Sequence, residues 1–133
     1  MITQLSHLTF LVKDLSQSKI FFELIFDAKE IYSSEEKQFS ISKEKFFLIG
    51  TVWVCIMEGN SLSEKTYNHT AFYVSEEEFE EYVKRIKSLN LDVRPERSRV
   101  EGEGRSIYFY DYDNHLFELH TGTLAERLKR YQD

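Results

Sequence analysis

Polar and apolar residues alternate in two short runs that match each other 62 positions apart, His7 over His69. In SHLTFLV (6–12), His7, Thr9 and Leu11 share one side, and Leu8, Phe10 and Val12 the other. In NHTAFYV (68–74), His69, Ala71 and Tyr73 share the matching side. A two-residue period predicts strands. After each run the period lengthens to that of a helix. DLSQSKIFFELIF (14–26) opens on Asp14 as a cap, with Gln17 three residues on. SEEEFEEYVKRIKSL (75–89) opens with Ser75 and Glu78 in capping-box positions and sets Phe79, Tyr82, Val83, Ile86 and Leu89 on one face. Three strand-like runs follow each helix. They are predicted at 29–34, 37–42 and 46–58, the last bent or split at Gly50, and then at 91–95, 105–112 and 115–121.

Each half therefore reads strand, helix, three strands. The fold class is α+β, built from paired βαβββ modules in a single domain. Module 1 covers about 1–60, module 2 about 66–122, and a C-terminal helix about 123–131. A unit of ~60 residues buries too little surface to be robust alone. Two units, or four in a dimer, solve this.

Composition narrows the partners. The 133 residues carry a net charge of −6, which disfavours nucleic acid and acidic membrane surfaces. No apolar run approaches the ~20 residues of a membrane helix, and no secretory pattern opens the chain. The single cysteine, Cys55, sits in the apolar run VWVCIM and reads as a small buried hydrophobe. The expected compartment is reducing cytoplasm.

The repeat also gathers candidate chemistry. The same offset lays Glu118 over Ile56, so His7, Ile56, His69 and Glu118 become related positions facing a shared groove. Three of the four carry metal-ligand side chains of the kind that suits Mn, Fe, Ni or Zn, and three ligands leave positions open for water or substrate. The residues alone leave a second reading, in which each His is a hydrogen-bonded strand residue and Glu118 faces solvent. His120 shares the Glu118 face and suits an orienting role. His115, in the turn DYDNH, is set outside the metal site. In TLAERLKRY (123–131), Thr123 and Glu126 hold capping-box positions, and Leu124, Leu128 and Tyr131 mark an inward face. Arg127 falls on that face or snorkels to water. Glu44, between Lys43 and Lys45, reads from its neighbours as a solvated strand end.

The stretches LSHLTFLVKDL, GTVWVCIMEG, TYNHTAF and EGEGRSIYFYDYDNHLFELHTGTLAERL resemble the vicinal oxygen chelate superfamily, and within it the fosfomycin-resistance proteins. The resemblance spans most of the chain. It implies a module-exchanged homodimer in which His7 of one chain and His69 with Glu118 of the other hold Mn(II). It implies that Thr9, Tyr108 and Arg127 contact the phosphonate substrate, and that Trp53 and Tyr67 line its pocket, with a core role for Trp53 left open. ISKEKFFLIG is similar to the pattern of the family's water-adding epoxide hydrolases, which implies that Glu44 is the general base and fosfomycin the substrate. One departure concerns the phosphonate-side loop. Ser98 and Gly102 stand where the potassium-binding, thiol-transferring members have lysine and serine. One of Arg94, Arg97, Arg99 and Arg105 is expected to replace the lysine, and a potassium site is left open. The competing readings are a thiol transferase acting on the same drug, an Fe(II) dioxygenase and a non-catalytic drug-binding protein.

Overall fold

The computed structural model describes residues 1–35, 41–95 and 100–132. Two compact units divide the chain, Met1–Ser63 with Tyr112–Asn114, and Glu64–Asp111 with His115–Asp133.

The first unit holds β1 (His7–Val12), α1 (Leu15–Phe26), β2 (Lys29–Ser33), β3 (Glu44–Ile49) and β4 (Val52–Glu58). Its sheet runs β1-β4-β3-β2, with β1 parallel to β4 and the remaining pairs antiparallel. Asp14 caps α1, its carboxylate accepting from the Gln17 N–H at 3.0 Å. At the other end Asp27 takes a left-handed conformation (φ 52°), and the Ala28 N–H bonds back to the Phe22 carbonyl at 3.3 Å. The helix buries Phe21, Phe22, Ile25 and Phe26, and the sheet contributes Val12, Phe47, Val54 and Ile56 to the same core. Full burial of side chains of this kind stabilises by roughly 1.5–3 kcal/mol each, so this one helix face outweighs any cap.

The second unit repeats the plan with β5 (His69–Tyr73), α2 (Phe79–Ser88), β6 (Ser106–Tyr110) and β7 (Leu116–His120), in the order β5-β7-β6. Again the first strand lies parallel to the last. Phe79, Val83 and Ile86 of α2 are buried, as are Ile107, Phe109, Phe117 and Leu119 of the sheet. α3 (Leu124–Gln132) follows β7.

Several expected elements change. The run predicted at 46–58 is two strands, turned at Gly50, whose φ of 57° suits glycine. The predicted strand 37–42 falls largely outside the described residues, and Ile41 and Ser42 are bends. The predicted strand 91–95 is reduced to one bridge, Val93 to Phe109. Ser75 and Glu78 do bond, through the Ser75 Oγ, but they close a turn and the helix begins at Phe79. The face of α3 expected to point inward is exposed, with Leu124 at 73% and Tyr131 at 63%.

Strand register corrects the repeat itself. Thr9 and Phe46 flank Cys55, while Ala71 and Tyr108 flank Glu118. The counterpart of Glu118 is therefore Cys55, not Ile56. Ile56 is fully buried on the opposite face, beside Phe10. The slip arises because the link between the last two strands is one residue longer in the second half, as the pairings Phe46–Cys55 and Tyr108–Glu118 show. That link contains Asp113, which accepts from the Lys13 N–H at 3.0 Å and the Ser61 hydroxyl at 2.5 Å.

Candidate metal centre and substrate cleft

Alternation along three paired strands puts His69 and Ala71, Glu118 and His120, and Ser106 and Tyr108 on one face of the second sheet. This face floors a cleft of about 750 Å³ that Tyr67, Glu103, Arg105 and Arg127 also line.

At the cleft floor, the His69 Nδ1 lies 2.8 Å from the Tyr67 carbonyl oxygen. A carbonyl only accepts, so Nδ1 carries the proton and Nε2 presents its lone pair. That Nε2 stands 3.1 Å from the Glu118 Oε1. Two acceptors at this distance repel unless a cation or a second proton lies between them. The other carboxylate oxygen, Oε2, accepts from the Ser106 hydroxyl at 2.5 Å. A hydroxyl has one proton, so the His120 Nδ1–H donates in turn to the Ser106 Oγ, 2.6 Å away. The chain His120, Ser106, Glu118 turns Oε1 toward His69 although Glu118 is 6% exposed.

Donors for an anion surround this pair. Tyr67 donates to the Tyr108 hydroxyl at 3.3 Å, and both rings lie against the His69 ring, with centroids at 4.9 and 5.3 Å. Burial, then the Tyr67 hydrogen bond and the Glu118 charge, push the Tyr108 phenol well above its ordinary range, so it stays a donor. The Arg127 Nε lies 3.3 Å from the Glu103 Oε1 without an aligned hydrogen bond, and its Nη1 donates to the Tyr131 hydroxyl. The Arg94 guanidinium sits 5.5 Å from the Tyr67 ring centre. Arg105 is committed to α2 and the turn before it, bonding Glu80 and pairing with Glu76. Arg97, Ser98 and Arg99 lie outside the described residues.

The first unit holds the remaining predicted site residues. His7 is exposed at the start of β1, its ring 4.3 Å from that of its register partner Trp53 and its Nδ1 3.0 Å from the Ser6 Oγ. Trp53 meets Phe46 edge to face, and its indole N–H has no acceptor among the described residues. Thr9 shares the His7 face. Glu44 is not a solvated strand end: it is 6% exposed, and its Oε2 accepts from the Cys55 thiol at 3.5 Å. Among the described residues no three His, Cys, Asp or Glu side chains are arranged so that they could hold a metal ion together.

Sequence reasoning missed Ser106, Glu103 and the bond made by Cys55. Ser106 alternates in phase with Tyr108, but a serine in a strand gives no chemical signal by itself. Cys55 is buried as expected, yet its place on the Thr9 face, not the core face, was hidden by the register slip. His115 is more than a surface turn residue, since its N–H and Nδ1 both bond Asp111 at 2.8 Å.

The family model described as the Glyoxalase/Bleomycin resistance protein/Dioxygenase superfamily matches residues 4–119. Fosfomycin resistance protein FosX of Listeria innocua is 67% identical over 131 residues, covering 98% of this chain and 98% of that protein. FosX of Listeria monocytogenes is 65% identical over 133 residues, covering 100% of each. A crystal structure of a mutant of that Listeria monocytogenes protein, complexed with Mn(II) and 1S,2S-dihydroxypropylphosphonic acid, matches with a TM-score of 0.89. It is 61% identical and covers 98% of this chain and 99% of that one.

Proposed function

The chain belongs to the glyoxalase/bleomycin resistance protein/dioxygenase superfamily, and from that membership we propose a Mn(II)-dependent epoxide hydrolase that inactivates fosfomycin by adding water. The observation that carries the proposal is the His69 Nε2 and Glu118 Oε1 pair, two acceptors held 3.1 Å apart on the floor of a donor-lined cleft. A nitrogen and a carboxylate oxygen fit a borderline divalent cation. Whole-length identity to FosX supports the substrate. The compound bound with Mn(II) in the related structure is a vicinal diol phosphonate, which is what water leaves when it opens a propyl epoxide phosphonate. A thiol would leave a thioether instead.

His69 and Glu118 would hold the metal, with His7 of a second copy as the third protein ligand, in a module-exchanged cytoplasmic homodimer. Bound there, Mn(II) supplies Lewis-acid polarisation of the epoxide oxygen. The chain's own residues do the rest. Tyr108, protonated across the working pH range, and Arg127 donate to the phosphonate, with Thr9 as a further donor; Tyr67 and Trp53 close the pocket around the drug. Glu44 takes a proton from water lying behind the ring carbon next to phosphorus. The water oxygen bonds to that carbon, the carbon–oxygen bond of the ring breaks, and the freed oxygen takes a proton from solvent while Glu44 gives up to solvent the one it removed, leaving the diol.

The test is product identity. Enzyme, Mn(II) and fosfomycin are incubated with and without glutathione, cysteine or bacillithiol, and products are identified by mass. The diol is expected in every case. A thioether formed only with thiol overturns the hydrolase reading. Glu44→Gly is expected to lose about 10²–10⁴-fold in rate while still binding metal and drug. Hydrolysis by that variant at the parent's rate removes Glu44 from the mechanism.

A further inference from the structure

The two sheets carry the same construction at the same place, with its parts exchanged. In the second unit the donor is on β6 and the carboxylate on β7: Ser106 of β6 pairs with His120, Glu118 of β7 pairs with Tyr108, and Ser106 bonds Glu118 diagonally across the ladder. In the first unit Glu44 pairs with Met57 and Cys55 pairs with Phe46, which places Glu44 where Ser106 stands and Cys55 where Glu118 stands. The diagonal bond is again present, from the Cys55 thiol to the Glu44 Oε2. We infer that Cys55 is the positioning residue of the base, its S–H occupying Oε2 of Glu44 so that Oε1 is the oxygen left to take the proton from water. The inference rests on the reading of Glu44 as that base.

The surroundings of Glu44 leave this task to the thiol. The main chain of Glu44 is pinned on both sides by Ser34, whose Oγ accepts the Glu44 N–H at 2.9 Å and whose N–H donates to the Glu44 carbonyl at 3.0 Å. Those bonds fix the strand and leave the carboxylate free to turn. Among the described residues the thiol is the group that bonds the carboxylate. Cys55 has Thr9 as its neighbour across the β1–β4 ladder. Burial foremost, then the Glu44 carboxylate, push the thiol up to about 12, so it is a donor throughout the range in which an enzyme works. It is correspondingly inert toward the electrophile in the same site.

The experiment is steady-state hydrolysis of fosfomycin by the Mn(II)-loaded enzyme with Cys55→Val, Cys55→Ala and Cys55→Ser. Valine fills the space without a donor, alanine removes the donor at smaller volume, and serine restores one. Valine and alanine are expected to lower kcat by roughly ten- to a hundredfold, the scale of a misplaced catalytic group, with KM and bound Mn(II) unchanged. Serine is expected to recover most of kcat. Parent-like kcat in either apolar variant, or a serine variant as slow as valine, overturns the inference. Glu44→Gln is run beside them. If it hydrolyses at the parent's rate, the base reading falls and the positioning role with it. If it is inactive while Cys55→Val matches the parent, the base stands and only the positioning role falls.

Discussion

A carboxylate that binds a metal through one oxygen beside an imidazole gains from having that oxygen aimed and the other occupied. Glu118 meets both conditions through Ser106, whose single proton goes to Oε2 because His120 supplies its own proton to the Ser106 oxygen. Removing the hydroxyl leaves a nearly buried carboxylate oxygen whose next donor, the His120 Nδ1–H, stands 3.4 Å away, and so loosens the hold on its orientation. Ser106→Ala is therefore expected to weaken Mn(II) binding by about 10–100-fold, the usual range for an outer partner of a metal ligand. Titration followed by the manganese electron paramagnetic resonance signal measures it directly. His115→Ala, which removes the imidazole that meets the Asp111 carboxylate, serves as the control and keeps the parent affinity. Equal affinity in the serine variant would remove Ser106 from the site. Residues of this kind explain the uneven legibility of the sequence. His7, His69 and Glu118 stand out because imidazole and carboxylate are rare on strand faces. Ser106 and Cys55 do not, since a short side chain takes its meaning from the neighbour it touches, and that neighbour lies on another strand.

At the scale of elements, the alternating runs and helical faces were legible because burial enforces them: α1 and α2 keep the apolar faces that their periodicity gives. What the pattern could not carry was length in the links. A continuous apolar run at 46–58 hides a two-residue turn, and one extra residue near Asp113 moves the last strand by one place and so exchanges its faces. α3 misled for another reason. Its stripe of Leu124, Leu128 and Tyr131 has helical spacing, but spacing does not say what covers it, and within this chain those side chains are exposed. Close approach in the second unit is as demanding as register. A Cβ on Gly104 would meet the Gly122 nitrogen at 2.5 Å, and one on Gly122 would meet the Glu103 carbonyl at 2.6 Å. The loop bearing Glu103 thus lies flush on the chain leaving β7. Gly104→Ala is expected to combine the cost of a left-handed alanine, about 1–2 kcal/mol, with displacement of that loop, lowering the melting temperature and raising KM for the drug. Gly50→Ala has a similar φ with nothing within 4 Å, so it isolates the backbone cost and leaves KM unchanged. Equal destabilisation and equal KM in the two variants would show that the contact carries no weight.

For the whole molecule, a net charge of −6 opposes an anionic phosphonate at long range, so recognition depends on the local donors of the cleft. The same scale decides how the proposed ligand triad would be completed. His69 and Glu118 belong to one unit and His7 to the other. If each site takes His7 from one chain and His69 with Glu118 from its partner, defects on different chains complement. His7→Ala and Glu118→Ala should each be inactive alone. Mixed, unfolded together and refolded, they form a heterodimer in which one site collects both substitutions and the other collects none. With half of the dimers mixed and one intact site in each, activity should return to roughly a quarter of the parent's in a two-fold symmetric assembly. If all three ligands come from the same chain, every site in the mixture carries one substitution and no activity returns. Bound manganese per dimer, measured on the same mixture after dialysis, should rise in step with the regained activity.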